Sequence, residues 1–217
     1  DFRGLADKCW NLSPEVGKSS GLCSLGDKGA PETVLVWGDS HASALAPAWE
    51  ALLLEQDLGG ALAARGACPP LPGILILNAD RGALSCRTFN DRVWHWLQTA
   101  DHSVRHVVLS AYWNLYVTGR RMKGDAGNPV RLAYKGVQHN DNNVDAVTSS
   151  LEALVSDLVS RDITVTIIDG MPEIGWNVPV TLLFRERLGM PPPAAPSRDM
   201  VAARSAQSRQ ALQEIAK

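Results

Sequence analysis

The sequence predicts an α/β domain in three layers, a mostly parallel β-sheet sandwiched between helices. Three observations carry that prediction. Short apolar runs rich in β-branched residues alternate with longer stretches whose apolar positions recur at helical spacing. Strands and helices alternating in this way imply βαβ crossovers, hence parallel strands covered on both faces. A chain of 217 residues, 45% hydrophobic and 20% charged, has the size and composition of one ordinary globular domain able to bury a core without metals.

The first 32 residues hold Gly, Ser, Pro, Asp and Lys with little periodicity and read as an irregular, disulfide-stapled arm, leaving residues 33–217 as the folded domain. Residues 33–37 (Thr-Val-Leu-Val-Trp) end at Gly38 and suit a strand buried on both faces. Leu45, Ala46, Trp49, Leu52 and Leu53 then form one stripe of a helix that ends near Leu58-Gly59-Gly60. A second short strand at 61–64 leads into a Cys/Pro-rich loop, Cys68 to Gly73, and Phe89, Val93, Trp96 and Leu97 mark the inner face of the next helix.

Residues 106–110 (His-Val-Val-Leu-Ser) are a third strand. The stretch 111–141 shows no convincing element, and its roughly 30 residues far exceed the usual ~4–6 of a connection, which marks it as functional or mobile. Val144, Val147, Leu151, Leu154, Val155 and Leu158 give the longest helical stripe, and residues 163–168 (Ile-Thr-Val-Thr-Ile-Ile) a fourth strand. A stiff proline segment, 191–196, precedes a last helix from about Ser197 to the end, with Met200, Val201, Leu212 and Ile215 as its weak apolar face and no C-cap.

Composition also excludes function classes. With 21 Lys and Arg against 23 Asp and Glu, a net charge of −2 and no cationic run, the chain lacks the clustered cations that neutralise phosphates in a nucleic-acid groove. The best apolar run, Gly73 to Leu77, is far short of the roughly 18 residues of a membrane span. The chain starts at Asp1-Phe-Arg-Gly, without initiator Met or signal-peptide features, and reads as excised from a longer protein.

Cys9, Cys23, Cys68 and Cys86 form an even set without C-x-x-C spacing, which disfavours a zinc site. Pairing in sequence order, Cys9 with Cys23 and Cys68 with Cys86, closes two short loops and points to an oxidising compartment. Four cysteines allow two other connectivities, and four buried free thiols are the alternative reading.

In open α/β sheets, ligands bind outside the carboxyl ends of the strands. After the first strand comes Gly38-Asp39-Ser40-His41. Glycine permits a tight turn, and a Ser at the start of the following helix has nearby free N–H groups able to stabilise an oxyanion. The same Ser can be read simply as a helix cap, with Asp39 making a turn hydrogen bond.

The run Val34 to Ala42 (Val-Leu-Val-Trp-Gly-Asp-Ser-His-Ala) resembles the nucleophile block of the SGNH/GDSL hydrolase superfamily. With the Cys-Pro-Pro loop and an upstream cysteine pair, it is similar to the extracytoplasmic SGNH domain fused to membrane acyltransferases of the acyltransferase-3 type. The resemblance implies an SGNH, flavodoxin-like sandwich with Ser40 as nucleophile and its own N–H as an oxyanion donor. It implies no cofactor or metal. The superfamily's second block is a glycine after the second strand, a place Gly66 occupies, though an ordinary turn glycine would sit there too. The third is G-x-N-D, whereas this chain has Ala111-Tyr-Trp-Asn114. Strict register puts Trp113 at the Asn position and Asn114 one later, so Asn114 is the candidate donor. Trp113 and Tyr116 read as a sugar-stacking surface or as core.

The superfamily draws its acid and base from a D-x-x-H motif, and no Asp in this chain has His three residues later. His95 falls on a helix, His102 and His106 lie at the wrong end of the third strand, and His41 follows Ser40 too closely to serve as a separate base. His139 lies in the long loop and reads as solvated, and Asp169, after the fourth strand, binds substrate or caps the Gly170-Met-Pro turn. The acid and base are therefore expected beyond Lys217, with a fifth strand and a further helix.

The leading expectation is O-acyl transfer to a hydroxyl of an extracytoplasmic polysaccharide such as lipopolysaccharide O-antigen. In the tethered parent, a fused or partner membrane acyltransferase domain supplies the acyl group. A carbohydrate O-acetylesterase uses the same chemistry with water as acceptor. A third reading is a catalytically silent glycan-binding module, with Trp113, Tyr116 and Trp176 as stacking platforms.

Overall fold

The computed structural model describes residues 22–78, 82–99, 102–125, 127–135, 137–138 and 143–216. A five-stranded sheet forms from β1 (Cys23–Gly26), β2 (Glu32–Gly38), β3 (Gly59–Ala64), β5 (His106–Ser110) and β8 (Thr164–Ile168), in the order β1-β3-β2-β5-β8. The pairs β2–β3, β2–β5 and β5–β8 are parallel, and only β1 runs antiparallel, along β3. Cys23–Gly26, read from the sequence as part of an irregular arm, is thus the edge strand of the sheet, so the fifth strand expected beyond Lys217 is already present near the start of the described residues.

The alternation of β2 sends successive side chains into two separate cores. Leu35 and Trp37 join Phe89, Val93, Leu97, Val147, Leu151 and Leu154 on one face. Those residues come from α2 (Gly82–Thr99) and α4 (Val144–Ser160). Val34 and Val36 pack on the other face with Ala42, Ala46 and Leu53 of α1 (Ser40–Glu55). This is the expected three-layer sandwich. The buried face of α1 is turned from the expected stripe: Ala42, Ala46 and Leu53 are inside, while Leu52 is 46% exposed. Small alanines let the helix lie close to the sheet, so the bulkier Leu52 is not needed there.

The stretch 111–141 is not featureless. It contains α3 (Trp113–Thr118), β6 (Leu132–Tyr134) and β7 (Val137–Gln138), and β6 pairs antiparallel with both β7 and β4 (Ile74–Ile76). Asn143 holds this unit together: Oδ1 accepts from Leu132 N at 3.0 Å, and Nδ2 donates to the carbonyls of Tyr116 and Val130 at 2.8 Å each. Elements this short are specified by such side-chain bonds rather than by periodicity, which is why no pattern announces them.

After β8 the chain forms α5 (Val178–Arg187), absent from the sequence expectation, and then α6 (Arg198–Ile215), capped by the Ser197 hydroxyl accepting from Met200 N at 3.2 Å. Of the expected apolar face of α6, Leu212 is buried and Val201 and Ile215 are half-buried, whereas Met200 is exposed, and Ser205, Ser208 and Ala211 complete the inward face. Cys68 and Cys86 form a disulfide, Cα–Cα 5.4 Å, that ties the loop after β3 to α2. Cys23 is also disulfide-bonded. Its expected partner Cys9 lies outside the described residues, as does His139.

Candidate active site

The carboxyl ends of β2 and β5 meet at Gly38, where a Cβ would stand 1.8 Å from the Ser110 carbonyl oxygen. Only glycine fits this approach. The next residue, Asp39, is 1% exposed and caps α1: Oδ1 accepts from His41 N at 2.8 Å, and Oδ2 from Tyr112 N at 3.0 Å. Burial raises the Asp39 pKa, against the opposing pull of His41, the two backbone N–H groups and the Tyr116 hydroxyl. Asp39 is therefore spent on fastening the turn after β2 to the turn after β5. It fixes the backbone on both sides of Ser40 without facing solvent.

Ser40, the first residue of α1, sits at the mouth of a cleft of about 500 Å³. Its walls include His41, Ala67, Tyr112, Arg121, Glu173 and Trp176. A larger cleft of about 800 Å³ runs along β8 and α6 and shares no lining residue with this one. The site is assigned by chemistry, not by size.

The Gly66 turn lies beside the nucleophile turn, since Arg65 N donates to the Gly38 carbonyl at 3.1 Å. The neighbouring Ala67, at φ 55°, lines the cleft. Of the two readings open for Trp113 the structure takes the core, and Asn114, the candidate donor, is engaged by its neighbours. Trp113 is fully buried, with Nε1 donating to the Ile168 carbonyl at 2.9 Å, so its ring belongs to the core and offers no face to a sugar. Asn114 is 2% exposed; Nδ2 donates to Glu173 Oε2 at 2.9 Å while Oδ1 accepts from the Ser208 hydroxyl. Both ends of that amide are engaged under the cleft wall. Tyr116 is 2% exposed and packs in the same core, whereas Trp176 is half-buried and lines the cleft.

Glu173 is the residue that sequence reasoning missed. Its carboxylate pairs with Arg204 of α6 and accepts from Asn114 and from the Tyr112 hydroxyl. Arg204 in turn donates to Thr118 Oγ1 at 3.2 Å and to the Arg120 carbonyl. Burial, followed by the Glu173 carboxylate, raises the Tyr112 pKa, so this phenol stays protonated and donates. The Tyr112 ring stacks on His41, centroids 4.9 Å apart with 19° between planes. A chain of contacts thus runs from α6 to the residue after Ser40.

The remaining described histidines lie away from the cleft. His106, at the amino end of β5, shares a hydrogen bond of 2.8 Å with Thr166 Oγ1, and His102 one of 3.0 Å with the Leu97 carbonyl. Asp169 pairs with Arg209 at 2.8 Å on the surface, with its side chain 45% exposed. Among the described residues no group of three or more His, Cys, Asp or Glu side chains could hold a metal ion, and no helix is long and apolar enough to cross a membrane.

Comparison with known proteins adds to this geometry. The family model described as "SGNH domain (fused to AT3 domains)" matches residues 8–217. Among solved structures, the chain is similar to the periplasmic domain of the lipopolysaccharide acetyltransferase of Salmonella ser. Paratyphi A, at 14% identity and a TM-score of 0.56, over 99% of this chain and 73% of that one. At that identity the likeness shows the fold. No curated protein matches the sequence.

Proposed function

We propose, for a chain that belongs to the family of SGNH domains fused to AT3 domains, that Ser40 is the nucleophile of an O-acyl transfer to a polysaccharide hydroxyl. One observation carries the reading. Ser40 begins α1 at the cleft mouth, and among the described residues its hydroxyl has no hydrogen-bond partner, while the adjacent Asp39 is buried and fully occupied.

In this reading Ser40 Oγ attacks the acyl carbonyl, the donor leaves with a proton, and the acyl group is held on Ser40 until an acceptor hydroxyl displaces it. Dividing the transfer in two lowers each barrier. The tetrahedral intermediates take hydrogen bonds from the Ser40 N–H and from the Gly66 turn. A fused or partner membrane domain delivers the acyl group. The acceptor is an extracytoplasmic polysaccharide such as lipopolysaccharide O-antigen, a choice supported by the structural neighbour, itself the periplasmic domain of a lipopolysaccharide acetyltransferase. Trp176 offers that acceptor a ring at the cleft.

The acid and base that activate Ser40 are proposed to lie on a D-x-x-H segment beyond Lys217 that adds a strand along β8. Two observations support this. The His41 ring is stacked on Tyr112, and no other described histidine lines the cleft. Among the described residues β8 pairs on one side only, with β5, and its Val165 and Ile167 line an apolar groove together with Val155, Leu212 and Ile215.

The test is acyl transfer by the full-length protein, with mass spectrometry of the Ser40 peptide. Ser40→Ala is expected to lower transfer by about 10³-fold or more and to remove any trapped acyl-serine. The 217-residue chain alone should hydrolyse an activated ester only feebly. Undiminished transfer by the full-length Ser40→Ala protein would overturn the assignment.

A further inference from the structure

The turn from Arg65 to Cys68 carries Ala67 to the cleft beside Ser40, and it is anchored to β2 at both ends. At its start, Arg65 N donates to the Gly38 carbonyl at 3.1 Å. At its end the anchor is indirect and runs through Asn90 of α2. Trp37 Nε1 donates to Asn90 Oδ1 at 3.1 Å. Asn90 Nδ2 donates to the Pro69 carbonyl at 2.6 Å and faces both sulfurs of the Cys68–Cys86 disulfide, at 3.5 and 3.7 Å. Trp37 stands three residues before Ser40, so one amide spans the strand that delivers the nucleophile and the loop that faces it.

Chemistry restricts which side chain can make this bridge. An indole N–H only donates and a carbonyl only accepts, so the bridging group must offer one acceptor and one donor, and the same constraint fixes which way the amide points. Asn90 is 1% exposed and Trp37 fully buried, so bulk water cannot replace either bond. Cys86 and Asn90 lie four residues apart on α2, hence on one face, and disulfide and amide grip Cys68-Pro69 together. Held in this way, the turn closes with Cys68 N donating to the Arg65 carbonyl at 3.2 Å and with Ala67 at φ 55°, a conformation that a residue with a Cβ keeps only where its surroundings impose it.

We propose that Asn90 is a positioning residue for acyl transfer, holding the Gly66–Ala67 turn at the separation from Ser40 that the tetrahedral intermediate requires. The proposal rests on the reading of Ser40 as nucleophile. Asn90 lies outside the cleft lining and acts through Trp37 on one wall and Cys68-Pro69 on the other. Hydrogen bonds to an oxyanion count only where charge develops in the transition state, so loss of Asn90 should lower kcat and spare KM.

The experiment follows hydrolysis of p-nitrophenyl acetate by the full-length protein, with Ser40→Ala as the background. Asn90→Leu keeps the branched shape and removes both bonds. Its kcat should fall about tenfold, less than the ~10²–10³ of deleting an oxyanion donor outright, with KM within about twofold of the parent. Asn90→Ala removes the same bonds without filling the space, should also lower kcat, and serves where the leucine protein fails to fold. Amide hydrogen exchange at Cys68 should rise in the variants while Leu35 and Val36 of β2 stay protected, which separates a loosened turn from a destabilised sheet. Unchanged kcat in a folded Asn90 variant, beside an inactive Ser40→Ala, would overturn this proposal and leave the nucleophile standing. A loss confined to KM, or exchange raised throughout β2, would overturn it as well. Equal rates for the parent and Ser40→Ala would instead remove the nucleophile, and the proposal with it.

Discussion

Strands β2 and β8 both deliver a loop to the same cleft, yet they hold those loops by different means. β2 lies between β3 and β5, its Leu35, Val36 and Trp37 fully buried, and the turn it delivers, Gly38-Asp39-Ser40, is fixed by backbone bonds on both sides. Among the described residues β8 has one neighbour and no fully buried residue, so its loop from Asp169 to Trp176 depends on side chains reaching across to α3 and α6. The difference assigns separate tasks to the two walls. The nucleophile turn is set by the sheet and the opposite wall by ion pairs, so mutations on the two sides should differ in kind as well as size.

The largest effect is expected at the sheet-held turn. Gly38→Ala would put a methyl group 1.8 Å from the Ser110 carbonyl oxygen, a backbone contact that no rotamer relieves. β2 and β5 would have to part at the base of the site. A loss of at least about 4 kcal/mol, or failure to fold, should follow in denaturant unfolding. A fold that tolerated the alanine within about 1 kcal/mol would mean that the strands are less tightly coupled than their pairing implies.

A smaller and different effect is expected from Glu173→Gln. The change keeps the shape but leaves the Arg204 guanidinium, 17% exposed, without its counter-charge, and breaking a buried pair from one side typically costs about 3–5 kcal/mol. Partial exposure reduces that to about 2 kcal/mol, or roughly 4–8 °C in Tm for a chain of this size. The sheet should remain intact, which far-UV dichroism would report. If Tm did not move, the β8 loop would have to be held by its apolar contacts instead.

The contrast between the two strands also explains what can be read from the sequence. Residues 33–37 and 163–168 look alike, both short and β-branched, and both form strands. Which is central and which is an edge depends on partners far away in the chain, so no local pattern records it. The helices α2 and α4 are legible because their buried stripes are apolar and periodic. The inward face of α6 is not, because Ser205 and Ser208 are buried through hydrogen bonds to the Val201 and Ala202 carbonyls and to Asn114 rather than through hydrophobicity. At the site, Gly38-Asp39-Ser40 is readable as a contiguous motif beside a strand. Glu173 and Arg204 are 31 residues apart, and only the fold brings them together. Asn114 lies near the cleft, as its place after β5 suggests, but its amide is engaged beneath the wall. Trp113 is core, since the turn after β5 points Tyr112 outward instead.

The smallest effect should come from the second tie on the β8 loop. Asp169 and Arg209 meet at 2.8 Å, but their side chains are 45% and 47% exposed, so water competes for both charges. Asp169 also accepts from Gly170 N at 2.7 Å, a turn bond that asparagine can keep through its carbonyl oxygen. Asp169→Asn therefore removes an exposed ion pair and little else, and exposed pairs contribute about 0–1 kcal/mol. A shift of at most a few tenths of a kcal/mol is expected in low salt, disappearing at high ionic strength as screening weakens the charge interaction in the parent protein as well. A loss near that of Glu173→Gln would make the rim of the loop, rather than the buried carboxylate beneath it, the point at which the wall is fastened.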